Sequence, residues 1–182
     1  MELIRNLRRK RATEVPEIHG RLALTVLTPE GEVRDYREGD NVITVNGYTV
    51  LAASLVWSGL QDQATNLGLT TATFLTPLWG AVGSGSGTPT LTDTALFSEL
   101  GRETVGAGAS SPATTTIPSE ATWLFYFPNP PTPWTVTEAG IFANGSSASG
   151  AGTMVDHWAF SPIVSVPTSD TLILQVGLQL GP

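Results

Sequence analysis

Apolar residues recur along this chain in two periods, and the switches between them lay out its elements. In "GRLALTVLTPEGEVRDYR", residues 20–37, Leu22, Leu24 and Val26 alternate with Arg21 and Thr25. A period of two marks a strand with one buried face. Pro29-Glu30-Gly31 supplies a turn, and Val33 and Tyr36 resume the alternation, which predicts a β-hairpin. The period then lengthens. Tyr48, Leu51, Ala52, Leu55, Val56 and Gly59 fall at helical spacing, predicting a helix of about twelve residues from near Asn46 to Gly59. Residues 60–73 are polar and rich in Gly and Thr, and read as a loop. "FLTPLWGAV" predicts a strand and a glycine run follows it. "LTDTALFSEL" then predicts a short second helix, capped by Thr92 and stopped at Gly101, with Leu96 and Leu100 on one face.

Strands dominate the rest. In "ATWLFYF" Ala121, Trp123, Phe125 and Phe127 alternate with Thr122, Leu124 and Tyr126. "PNPPTP", residues 128–133, is a rigid crossing in which proline removes backbone donors. "WTVTEAGIFANG" is a further strand, and "GSSASGAG", residues 145–152, reads as a flexible tip. "TMVDHWAFSPIVSV" is expected to pair with the strand after it. In that strand, "DTLILQVGLQL", Leu172, Leu174, Val176, Leu178 and Leu180 share one face, and Gln175, Gly177 and Gln179 the other. Seven or eight strands and one firm helix predict a mainly β fold, antiparallel and sandwich-like, with one to two short helices and α+β at its margin. No solenoid-type repeat is visible.

The composition fits this picture and narrows the chemistry. With 182 residues, 41% hydrophobic and 14% charged, the chain suits one folded domain. The division expected is a basic arm over 1–17 and a single β-rich domain over 18–182. No apolar run reaches the ~18 residues of a membrane helix, and no secretory apolar region follows the basic N-terminus, so a soluble chain is expected. The absence of cysteine excludes disulfides, thiolate catalysis and cysteine-based zinc sites. Residues 1–37 hold eight of the nine basic residues against six acids, a balance of +2; residues 38–182 hold ten acids and only Arg102, a balance of −9. A body this acidic repels nucleic acid, so neither nucleic acid nor membrane is an expected partner. Arg5, Arg8, Arg9, Lys10 and Arg11 are candidate contacts to an acidic protein neighbour, with a solvated terminus as the competing reading.

The search for a reaction centre assigns no catalytic, metal or cofactor-binding residue. "GSGSGTPT", residues 83–90, lacks the lysine of a Walker loop, and its G-x-G-x-G spacing runs into Pro89 rather than a long helix. The glycines are therefore expected to let the main chain leave a strand at positive φ and cross closely over a neighbour. The only histidines are His19 and His157. Asp156 and His157 are adjacent, so on a strand they face opposite ways and cannot pair as a triad requires; no G-x-S-x-G elbow is present. His157 is read as an intersubunit or edge contact. Asp35, Glu38 and Asp40 read as a solvated turn, with weak Ca²⁺ binding as the alternative. "NGS" at Asn144 reads as a turn rather than a glycosylation site. Of Trp57, Trp79, Trp123, Trp134 and Trp158 most belong in the core. Trp134, just after the proline run, is also a candidate anchor for another subunit or a glycan. Arg102 is expected to be a buried ion-pair anchor for Glu99, Glu138 or another acid.

Three blocks, in order, resemble a family of tailed-bacteriophage virion proteins of the tail-fibre, tail-tip or head-fibre type. They are "DNVITVNGYTVLA", then "VGSGSGTPTLTDTAL" with "ELGR", then "VTEAGIFANGSSASGAGTMVDHWAFSPIVSVPTSDTLILQVGLQL". The last two are similar to that family's "GtGttaPaasDtaLxxExxR", "iTEaGLFn" and "GtmldRtvF" runs. The resemblance spans about residues 40–180 and departs at His157-Trp158, where the family commonly has a basic residue. It implies a non-enzymatic structural protein of the virion, made in the host cytoplasm. Implied partners are tail, connector or major capsid proteins and further copies of itself, a trimer among the options. A capsid-decoration protein and a host-glycan-binding module are the alternatives.

Overall fold

The computed structural model describes residues 18–51, 77–111 and 119–180. Within them the alternating segments become nine strands: β1 (Ile18–Leu27), β2 (Val33–Asp40), β3 (Val42–Ile43), β4 (Pro77–Gly83), β5 (Glu99–Ser111), β6 (Ser119–Pro128), β7 (Trp134–Ala143), β8 (Thr153–Val166) and β9 (Thr171–Leu180). The chain is mainly antiparallel β, as the alternation requires. β1 and β2 form the expected hairpin, closed by Gly31 at positive φ and by the Thr28 and Glu32 main chains.

All nine strands join one sheet in the order β2-β1-β9-β6-β5-β4-β7-β8-β3. β5 lies in the middle of that order; its first residues pair with β4 and its last with β6. The sheet folds over there into two leaflets, and Leu22, Leu24, Phe125, Leu172 and Leu174 of one pack on Val136, Ile141, Val155 and Val164 of the other. Burying a side chain of this size contributes roughly 1.5–3 kcal/mol, so this interior is the main source of stability. β2 and β3 stand at opposite ends of the order yet are consecutive in the chain, with only Asn41 between them, so the sheet is nearly closed.

Two expectations, one about a helix and one about strand pairing, need correction. Residues 91–98 are not a helix but turns and bends, and β5 already begins at Glu99. The N–H groups of Phe97 and Ser98 donate to the Glu138 carboxylate instead of to carbonyls one turn back. β8 pairs with the strand before it, β7, and with β3, whereas β9 lies between β1 and β6. The intervening turn crosses between leaflets. Asp170, wholly buried, holds it by accepting from Arg34 and Ser169 with its carboxylate and from Asn129 with its carbonyl.

The helix α1, described over residues 45–51, starts where the spacing placed it, and its remainder to Gly59 falls outside the described residues, as do the 60–73 loop and Trp57. Its buried side differs from the one expected: Val50 is buried and Tyr48 exposed. The cause is the cap. Thr44 Oγ1 accepts from Gly47 N and donates to Met154 O on β8, which turns Gly47 toward the sheet. A Cβ on Gly47 would stand 2.0 Å from the Val155 carbonyl oxygen, so the helix approaches too closely there for any side chain.

Candidate functional site: a buried polar junction

The strongest concentration of chemistry lies on the outer face of β7 and β8. Irregular strand pairing between Val136 and Glu138 changes which side chains point inward. Beyond it Ala139 and Ile141 enter the main core, while Glu138 and Phe142 face outward. They are nonetheless buried, because residues 84–98 cross over this face. The crossing brings Leu96 against Ala81, Phe142 and Met154 in a second apolar cluster, with Trp79 beside it.

Glu138 sits at the centre of that covered face with none of its surface exposed. Its Oε1 accepts from Gly85 N and Ser98 N, each at 2.8 Å; its Oε2 accepts from Phe97 N at 2.9 Å and lies 3.0 Å from His157 Nε2. The glycine run therefore does surround an anion, and the anion is the chain's own carboxylate. Gly83, Gly85 and Gly87 are not at positive φ, which corrects that half of the expectation. Their role is close approach: a Cβ on Gly85 would lie 2.4 Å from Phe97 Cβ and 2.5 Å from Glu138 Oε1.

His157, expected at an edge or between subunits, is instead fully buried within its own chain. Its Nδ1 lies 2.6 Å from Asp93 Oδ2 and its Nε2 faces Glu138, with the Phe97 ring 4.8 Å away. Each ring nitrogen therefore faces a carboxylate oxygen, and the ring bridges the two acids. Asp93 also accepts from Thr90 N and Thr90 Oγ1. Burial pushes its carboxyl upward, but the hydrogen bonds from Thr90 and His157 outweigh that and hold it below the ordinary aspartate value.

Asp156 faces the other way, as alternation demands, and is fully buried. It accepts from Ile141 N at 3.0 Å and from Asn41 Nδ2 at 2.6 Å. Burial, opposed only by those two hydrogen bonds, pushes its pKa up to about 7.

Arg102 is the buried anchor the sequence suggested. It grips Glu99 with two bonds of 2.7 Å, and its guanidinium lies 4.6 Å from the Phe142 ring centroid. Arg102 also donates to the Ala151 and Ser146 carbonyls, and Gly150 N donates to Glu99. The Gly/Ser tip over 145–152, read as flexible, is thus fastened to β5.

The remaining candidates separate. Trp134 is only 8% exposed, edge-on to Phe127 and lying over Gly101, so it is core and not a contact anchor. Asn144 is an exposed residue at positive φ, in keeping with a turn. Asp35, Glu38 and Asp40 lie along β2 rather than in a turn; Asp35 pairs with Arg37, and Glu38 accepts from Tyr36. Arg5, Arg8, Arg9, Lys10 and Arg11 lie outside the described residues. Among the described residues no group of three or more His, Cys, Asp or Glu side chains is arranged to hold a metal ion. The sequence reading missed Glu138 as the hub. Its signal was a charge at the strand position shared with Trp134, Val136 and Phe142.

No protein-family model matches the chain, and neither a curated protein nor a solved structure matches it.

Proposed function

We propose that the protein is a non-enzymatic structural component of a tailed-phage particle, of the tail-fibre, tail-tip or head-fibre kind. It works by packing against other virion proteins, and its exposed surface contributes to host attachment. The observation that carries this reading is where its three sequence blocks go. Asn41 and Asp156 bond across 115 positions; Gly85, Phe97 and Ser98 bond Glu138; His157 joins Asp93 to Glu138. Blocks this far apart in the chain that bond one another within the sheet belong to a scaffold more naturally than to a reaction centre. The Glu138 carboxylate is ringed by three backbone N–H groups and His157 of its own chain, which supports a structural role for it.

The architecture acts through charge and packing. The basic arm docks on an acidic patch of a tail, connector or capsid neighbour, while the acidic body projects outward and associates with further copies of itself. The test is particle composition. In virions purified from a phage encoding this chain, the full-length protein is present in fixed copy number. A version lacking residues 1–16 keeps the circular dichroism of the body but is absent from particles. Absence of the full-length chain from such virions overturns the reading; full occupancy by the truncated chain overturns the docking arm alone.

A further inference from the structure

The outer face of the opposite leaflet carries a groove of about 280 Å³ across β2, β1 and β9, lined by Arg21, Ala23, Tyr36, Glu38, Gln175 and Gly177. Register explains its shape. On β1, Ala23 stands between Glu38 and Gln175, Arg21 between Asp40 and Gly177, and Thr25 between Tyr36 and Ile173. Small residues make the floor and planar polar or aromatic ones the walls.

The walls are partly fixed in place. The Tyr36 hydroxyl donates to Glu38 Oε2 at 2.7 Å, which orients its ring, and Tyr36 is 49% exposed. The Arg21 guanidinium comes no nearer to Glu38 than 3.9 Å, beyond hydrogen-bond distance, so that pair leaves bonding capacity on both members. Gln175 is exposed beside them.

The lining selects the ligand. Arg21 faces two acids, Glu38 and Asp40, a local balance that disfavours phosphate, sulfate or carboxylate groups. The floor is too small, and the walls of Arg21, Glu38 and Gln175 too polar, for a lipid chain. Paired donors and acceptors on Arg, Glu and Gln suit neighbouring hydroxyls, and an oriented tyrosine ring suits the C–H face of a sugar. We infer that this groove binds a neutral saccharide. β2 ends the strand order, so the groove is open on that side to a longer chain. The inference deepens the host-attachment part of the proposed function, and rests on it only for the source of the glycan.

The full-length protein is titrated by saturation-transfer NMR with neutral trisaccharides of glucose, galactose, mannose and N-acetylglucosamine. Sialyllactose and a heparin tetrasaccharide serve as anionic controls. At least one neutral trisaccharide binds, and its sugar C–H protons receive saturation. Tyr36→Ala weakens that binding about tenfold, the loss of one aromatic contact. Gln175→Ala weakens it less, and both variants keep the wild-type unfolding midpoint. The site is overturned if only the anionic controls bind, if no neutral trisaccharide binds, or if Tyr36→Ala leaves affinity unchanged. Virion incorporation of the wild-type chain separates the two proposals: a chain that joins particles but binds no neutral trisaccharide sinks the groove alone.

Discussion

The two outer faces of the sheet meet the same problem in opposite ways. Over β7 and β8 the 84–98 crossing lies on the sheet, and each buried polar atom of Glu138 is bonded. Over β1 and β2 the side chains stay in water, and Arg21 and Glu38, each 57% exposed, tolerate a separation of 3.9 Å. Covering a face obliges its charges to find complete internal partners, because an unpaired buried charge is expensive. Leaving a face bare removes that obligation and keeps its groups available to something else.

Substitutions at matched acids test the contrast most severely. Glu138→Leu strips partners from three backbone N–H groups and a buried imidazole, and is expected to cost about 3–5 kcal/mol in denaturant unfolding. Glu38→Ala on the bare face is expected to cost less than about 0.5 kcal/mol. Equal costs would erase the distinction. Next comes Arg102→Met, which leaves Glu99 buried without its cation; a loss of about 3 kcal/mol is expected. Proteolysis within 145–152 should become faster in that variant, since Arg102 holds the Ser146 and Ala151 carbonyls.

The buried aspartates sharpen the comparison through pH. Asp156 has a folded pKa of about 7 against an ordinary value of 3.8. The unfolded chain therefore ionises first, and stability fully present below pH 3.8 is lost as pH rises through 7. Asp156→Asn should flatten that decline in a series of unfolding midpoints. Asp93 has the opposite sign: its carboxyl is held low, so its contribution is present above the ordinary aspartate range and lost as pH falls through its folded value. A wild-type profile with no fall between pH 4 and pH 7 that Asp156→Asn removes would contradict the assignment. On the covered face, Gly85→Ala is expected to cost about 1–2 kcal/mol, as Phe97 shifts to admit the methyl group.

How far the sequence could be read follows the same division. Strands with one wet face announce themselves by alternation, and the β1–β2 hairpin and the apolar face of β9 were legible for that reason. Arg102 was legible too, because a lone cation in an acidic apolar body has few other uses. The covered face was not. "LTDTALFSEL" carries helical spacing, yet its main-chain donors are claimed by a carboxylate 40 positions away, which no local pattern records. His157 looked like an edge residue because the element that buries it is irregular. Trp134 looked exposed because prolines precede it, although on β7 it shares the inward alternation of Val136.

Asn41 stands between the first and last strands of the sheet order and bonds the neighbour of each, β1 at Gly20 O through its main chain and β8 at Asp156 through its side chain. The two free margins of the sheet are therefore sutured at a single point and cannot fray independently. Loosening either one there loosens the other.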